Sequence, residues 1–240
     1  LIKKIHFIHP RIESKEQQKI ANCLSSLDTL TTAEAVKLDY LKDHKKGLLQ
    51  QLFPANGETK PQFRFQEFKN DGDWDKVELG NYCSITTGKL DANAMVVKGK
   101  YRFYTCARNF YRIDDFAFDT EALLVSGNGA NVGYIHYYKG KFNAYQRTYV
   151  LDQFHMNIHY LKYNLEYNLS KRISSEKKEG NTPYIVKSTL SEMEIILPKN
   201  EEEQKKIANC LSSVDDLIEA QKIKIETLKK HKKGLMQQLF

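Results

Sequence analysis

No uninterrupted apolar run in this sequence approaches the roughly 20 residues a membrane helix requires. With 28% charged residues the composition is that of an ordinary soluble chain. Cysteine is scarce: Cys23, Cys83, Cys106 and Cys210 never form a C-x-x-C pair, which removes the usual structural zinc site. Reduced, buried thiols in a cytoplasmic protein are the expectation, and disulfides are not. The G-x-x-x-x-G-K-[ST] phosphate loop is absent. So is a secretory leader, and Leu1 in place of Met is what a portion of a longer protein shows. Acidic residues are the minority. The 37 Lys and Arg against 30 Asp and Glu leave a net charge of +7, which suits a nucleic-acid partner without establishing one.

What the chain does have is a repeat. Residues 16–53 (EQQKIANCLSSLDTLTTAEAVKLDYLKDHKKGLLQQLF) align without a gap on 203–240 (EQKKIANCLSSVDDLIEAQKIKIETLKKHKKGLMQQLF), with 25 of 38 positions identical. Steps of three and four pick out an apolar seam in each copy. It runs through Leu24, Leu27, Leu38 and Leu41 in the first, and through Leu211, Val214, Ile218, Ile225 and Leu228 in the second. Both seams turn polar at the same two places, Glu34/Gln221 and Lys45/Lys232. A polar seam residue lowers stability but fixes register. Each copy is expected to be one helix of roughly 57 Å at about 1.5 Å per residue. The two are expected to pack antiparallel, because a domain fits between them. His44 and His231 belong to this repeat rather than to a site.

Between the helices, PANGETKP after Phe53 reads as a connector. Strand patterns follow at Tyr101–Cys106 and Ala122–Ser126. Val132–Tyr138 is expected to face Phe142–Leu151 across a Lys139-Gly140-Lys141 hairpin turn. Residues 157–172 read as a helix and Glu192–Leu197 as a final strand. The expected architecture is α+β, one mixed strand-rich domain with two long helices forming an antiparallel coiled coil. Its divisions are 1–12 as the remnant of a preceding domain (IHFIHP resembling a last strand), 13–53, 54–200 and 201–240. Arg102, Arg108, Arg112 and Arg147 lie among tyrosines, asparagines and Gln146, side chains able to read base edges.

Enzyme readings are weaker. Asn181-Thr182-Pro183-Tyr184 approximates the N-P-P-Y of adenine methyltransferases, but Thr182 stands where a proline is needed and no alternating β-α series supports a wide parallel sheet. Gly127-Asn128-Gly129 reads as a tight turn rather than a methyl-donor loop. Asp119 and Glu121, the acids a nuclease would need, read as surface charge. A coiled-coil scaffold whose middle domain binds protein stays open on composition alone.

Several segments in order resemble one family, the specificity (S) subunits of type I restriction-modification systems. They are Phe63-Arg64-Phe65 running to Gly80, TTGKLDAN (Thr86–Asn93), YRFYT (Tyr101–Thr105), ALLVSGNGA (Ala122–Ala130), QRTYVL (Gln146–Leu151), and G-N-T at 180–182 followed by Ile185 and Leu190. The LP-x-x-x-E-x-Q-x-x-I junction into the second helix completes the set. The resemblance implies a non-catalytic, cofactor-free subunit that binds double-stranded DNA. In that family two target recognition domains each read half of a bipartite site. Two antiparallel helices set the spacing and dock methyltransferase subunits, which use S-adenosylmethionine and bring in the restriction subunits. Here only one recognition domain is complete, so the expectation is a C-terminal half or a half-subunit that would dimerise. The positions matching DNA-facing loops are Lys89, Asp91, Asn93, Tyr104, Arg108, Asn109, Gln146 and Arg147, with Lys178, Asn181 and Thr182 in a further loop.

Overall fold

A computed structural model describes residues 15–176 and 184–239. Two helices dominate it, α1 (Lys15–Leu52) and α4 (Glu201–Leu239). Neither contains proline. Pro54 follows the first, and Pro198 precedes the second. Asn200 caps α4, its side-chain oxygen accepting from the Glu202 amide at 3.0 Å. Acidic Glu201, Glu202 and Glu203 occupy the first turn, where the helix dipole favours negative charge. The expected remnant at 1–12 lies outside the described residues.

The chain divides into two compact units, residues 49–210 and the paired helical segments up to Leu48 and from Leu211. In the paired segments the expected seam is the least exposed line of each helix. Leu211, Val214, Ile218 and Ile225 are buried, while Leu228 and the Leu24, Leu27, Leu38 and Leu41 of α1 are half-buried. The polar interruptions meet each other. Gln221 bonds Glu34, Lys45 pairs with Asp215 at 2.8 Å, and Lys232 pairs with Asp28 at 2.5 Å. Partners climb α1 as they descend α4, so the helices are antiparallel. Asp28 and Asp215 are equivalent in the repeat, as are Lys45 and Lys232, and Glu34 and Gln221. The two ion pairs are therefore images of one another about a local dyad through Glu34 and Gln221. Cys23, expected to be buried, is exposed because it sits beside the seam rather than on it.

The unit of residues 49–210 holds two sheets. The smaller pairs β1 (Asp75–Glu78) with β8 (Glu194–Leu197), antiparallel. The larger contains β2 (Ser84–Thr87), β3 (Tyr101–Tyr104), β4 (Tyr111–Ile113), β5 (Phe118–Ser126), β6 (Ile135–Ala144) and β7 (Thr148–Asp152). Its order is β2-β7-β5-β6-β3-β4, and only β3 and β6 run parallel. Alternation along the strands sends Ile85, Leu123, Val125 and Leu151 to one face. There they meet Leu161, Leu165, Leu169 and Ile173 of α2 (Ile158–Glu176). Tyr104, Leu124, Phe142, Ala144 and Val150 fill the other face. A bridge from Leu90 to Tyr145 brings the β2 edge round to β6, so the sheet curls over this second cluster. A short helix, α3 (Lys187–Ser191), leads into β8.

The expected hairpin across Lys139-Gly140-Lys141 does not form. Strand β6 runs straight through it, with Thr120 opposite Gly140 in β5. Gly140 has φ of 126°, a conformation open to glycine, and so absorbs a bend inside the strand. The true turn is at Tyr145–Arg147, where the Thr148 amide donates to the Tyr145 carbonyl at 2.8 Å.

The Phe-Arg-Phe segment anchors the start of α4. Arg64 forms a two-pronged pair with Glu203, at 2.7 and 2.8 Å, with the carboxylate buried. The Glu203 carboxylate holds the Arg64 guanidinium protonated, raising its pKa above the usual value. Phe53 and Trp74 pack on the Tyr160 ring, whose hydroxyl donates to the Ile196 carbonyl at 2.6 Å.

Candidate nucleic-acid interface

Four separate segments of the curled sheet are tied into one surface: 88–93, 105–109, 127–131 and 145–147. The first is seated by Gly88, where a Cβ would fall 1.8 Å from the Ala144 carbonyl oxygen, so only glycine allows the approach. The Gln146 amide donates to Leu90 O at 2.9 Å, and its side chain to Asp91 at 3.4 Å. Asp91 also accepts from the Asn93 amide, holding the 91–93 turn.

The 145–147 turn is fixed from two more sides. The Arg147 carbonyl accepts from the Gly127 amide at 2.8 Å and from the Cys106 thiol at 3.3 Å. Asn131 then joins the second and third segments. Its amide nitrogen donates to Cys106 O at 3.0 Å, and its oxygen accepts from Arg108 Nε at 3.2 Å. The Arg108 guanidinium lies 5.6 Å from the Tyr134 ring centre. His136 Nε2 donates to Ala107 O at 2.9 Å, since a carbonyl can only accept. Burial lowers the pKa of His136, favouring the neutral ring.

Lys89, Asp91, Asn93, Arg108, Asn109, Gln146 and Arg147 are all exposed on these segments. Three cations and three amides face solvent there with one carboxylate, a surface rich in donors. Tyr104 is different. It is 1% exposed, enclosed by Phe110, His136, Tyr138 and Phe142, and its hydroxyl accepts from Arg102. Its place in β3 points it into the curl, so it supports the surface without facing out. Lys178, Asn181 and Thr182 lie outside the described residues, and so does most of the approximate N-P-P-Y motif. The sequence does not mark Asn131, Cys106 or His136 as the ties that hold these segments together. No local pattern marks such contacts, which exist only once the strands are placed.

The concavity here is shallow. A pocket of about 250 Å³ is lined by Gly127, Gln146, Arg147, Tyr149 and Ile185, smaller than typical small-molecule sites. The acids considered for nuclease chemistry are held in cross-strand contacts. Glu121 accepts from Tyr137 and pairs with Lys139, and Asp119 pairs with Lys141. Among the described residues no group of three or more His, Cys, Asp or Glu is placed to hold a metal ion. Nor, among them, is any helix long and apolar enough to cross a membrane.

Residues 71–230 match the type I restriction modification DNA specificity domain family. Similar proteins include the EcoDI specificity subunit of Escherichia coli, 40% identical over 156 residues, covering 65% of this chain and 34% of that protein. The MjaVIII specificity subunit of Methanocaldococcus jannaschii is 32% identical over 183 residues, 70% of this chain and 42% of that one. The chain thus spans between a third and three fifths of the curated relatives it matches. In fold it resembles the S subunit from M. genitalium, with a TM-score of 0.71 at 19% identity, covering 95% of this chain and 61% of that one. The HsdS subunit from Thermoanaerobacter tengcongensis gives 0.58 at 18% identity, covering 93% and 56%.

Proposed function

The chain belongs to the type I restriction modification DNA specificity domain family, and on that premise we propose that it reads one half of a bipartite DNA site for a type I restriction-modification complex. Residues 54–200 act as the recognition domain. The observation that carries this is the convergence of exposed Lys89, Asn93, Arg108, Asn109, Gln146 and Arg147 from three segments onto one surface, braced by the fourth through Asn131. Arg108 and Arg147 present forks suited to guanine O6 and N7, and Gln146, Asn93 and Asn109 suit adenine. Lys89 meets a phosphate and positions the protein without reading sequence. The chain performs no chemistry. Its helix pair holds methyltransferase subunits over the target and, through them, the restriction subunits.

Methylome sequencing of cells carrying the system tests this. One bipartite motif is expected to be methylated, and replacing Arg108 and Arg147 with Ala is expected to abolish it or relax it at one half. Each bidentate contact contributes about 1–3 kcal/mol of discrimination. A motif unchanged in that double variant contradicts the assignment.

A further inference from the structure

The β4 edge of the larger sheet, next to the candidate interface, carries an exposed apolar corner. Met95-Val96-Val97 follows the 91–93 turn, and Val97 is 94% exposed. Val96 bridges to Arg112, its amide donating to the Arg112 carbonyl at 2.9 Å. In that register Val97 falls opposite Tyr111, and Met95, two residues before it, shares the same face. Tyr111 is 41% exposed and Met95 43%. Single apolar side chains on a surface are ordinary, whereas three that adjoin mark a contact.

The corner is held in place. A Cβ on Gly99 would fall 2.3 Å from the Ile113 backbone nitrogen, so only glycine lets the segment lie this close to β4. The neighbouring Phe110 ring is already engaged, with the Arg102 guanidinium 4.3 Å and the Arg112 guanidinium 5.4 Å from its centre. Val97 is the protruding tip.

Its surroundings suit a polyanion. Residues 89–112 hold six Lys and Arg and one acid, Asp91, whereas 113–121 hold four acids and no Lys or Arg. Val97 lies at the cationic end of the corner: Lys98 and Lys100 follow it, both exposed, and Tyr111 opposite it is two residues from Asn109. Both strands of the corner lead back to the interface, one through Asn93 and the other through Asn109. An apolar side chain projecting among cations beside base-reading groups has the form of a wedge. Such a side chain enters between stacked base pairs while lysines meet the phosphates.

We propose that Val97 enters the DNA at one base step beside the bases read by the loops, unstacks that step and bends the duplex. Met95 and Tyr111 cover the opened step. This rests on the reading of DNA by residues 54–200, and it adds specificity that no polar contact supplies. Pyrimidine–purine steps open most readily, so the half-site should carry TA, CA or TG at the entered position.

The test uses the full chain and a duplex carrying the motif it retains from a randomised pool. The fluorescent base 2-aminopurine is placed at successive positions, where it brightens if stacking is lost. One position should brighten with the unaltered chain, stay dark with Val97→Ser, and brighten again with Val97→Leu. Val97→Ser should bind the intact duplex about tenfold more weakly, and come within about threefold of the unaltered chain on a duplex whose step is already opened by a gap. Its melting temperature should not move, because the side chain it alters is solvated. No brightening at any position, or equal losses on intact and gapped duplexes, overturns the wedge while leaving DNA reading intact. Unchanged DNA binding by Val97→Ser with failed assembly onto the methyltransferase subunit also overturns it, since the corner would then face protein. If the unaltered chain retains no motif, reading and wedge fail together.

Discussion

Gln221 Nε2 donates to the Glu34 carboxylate at 2.6 Å and to the Glu34 backbone carbonyl at 2.9 Å, and the two residues hold the same place in the two copies of the repeat. A position that meets its own counterpart lies on the dyad, and a shared acid there would set carboxylate against carboxylate. The Glu/Gln difference makes the contact between unlike copies favourable and disfavours two first copies pairing with each other. The flanking Lys45–Asp215 and Asp28–Lys232 pairs fix the same register from both sides.

This contact has a pH signature. The Lys224 ammonium, then Gln221, holds the Glu34 carboxyl below its usual acidity range. A depressed carboxyl contributes stability that is present above the unfolded value, about 4.3, and lost as pH falls through the folded value. Gln221→Glu introduces repulsion at neutral pH that protonation relieves. Circular-dichroism melts should therefore show the variant below the unaltered protein at pH 7, with the gap narrowing below pH 4. A constant gap would exclude carboxylate repulsion as its cause.

Arg64→Ala should destabilise the unit of residues 49–210 by about 3 kcal/mol, because it strands the buried Glu203 carboxylate. Arg64→Lys should rescue little, since an ammonium cannot reproduce the two-pronged geometry. Urea unfolding measures both, and a loss under about 1 kcal/mol for the alanine variant would show that the pair is dispensable.

Asn131→Ala should weaken DNA binding although its side chain is committed to Cys106 O and Arg108. If it acts by holding Arg108, the Asn131→Ala, Arg108→Ala double variant should bind about as well as Arg108→Ala alone. Fully additive losses in a double-mutant cycle would mean the two act independently.

The helix pair was legible because its seam repeats at fixed steps and its polar breaks coincide in both copies. Their partners were not, because Asp28 and Asp215 are ordinary exposed acids until the helices are set side by side. In the domain, alternation marked β3 and a continuous apolar run marked β5, but Lys139-Gly140-Lys141 mimicked a turn that tertiary pairing overrode. Tyr104 looked outward-facing because β3 alone does not say which side closes into the curl. The interface loops were marked by the family resemblance, whereas the Cys106–Asn131–Arg147 bracing joins residues far apart in sequence.

The most direct measurement is selection of the full chain against a pool of randomised DNA duplexes, sequencing what is retained at physiological salt. Enrichment of one short motif is expected, with binding that weakens as salt rises and a preference lost in the Arg108→Ala, Arg147→Ala variant. Retention without any preferred sequence, or the same motif in that variant, would contradict DNA reading by this surface.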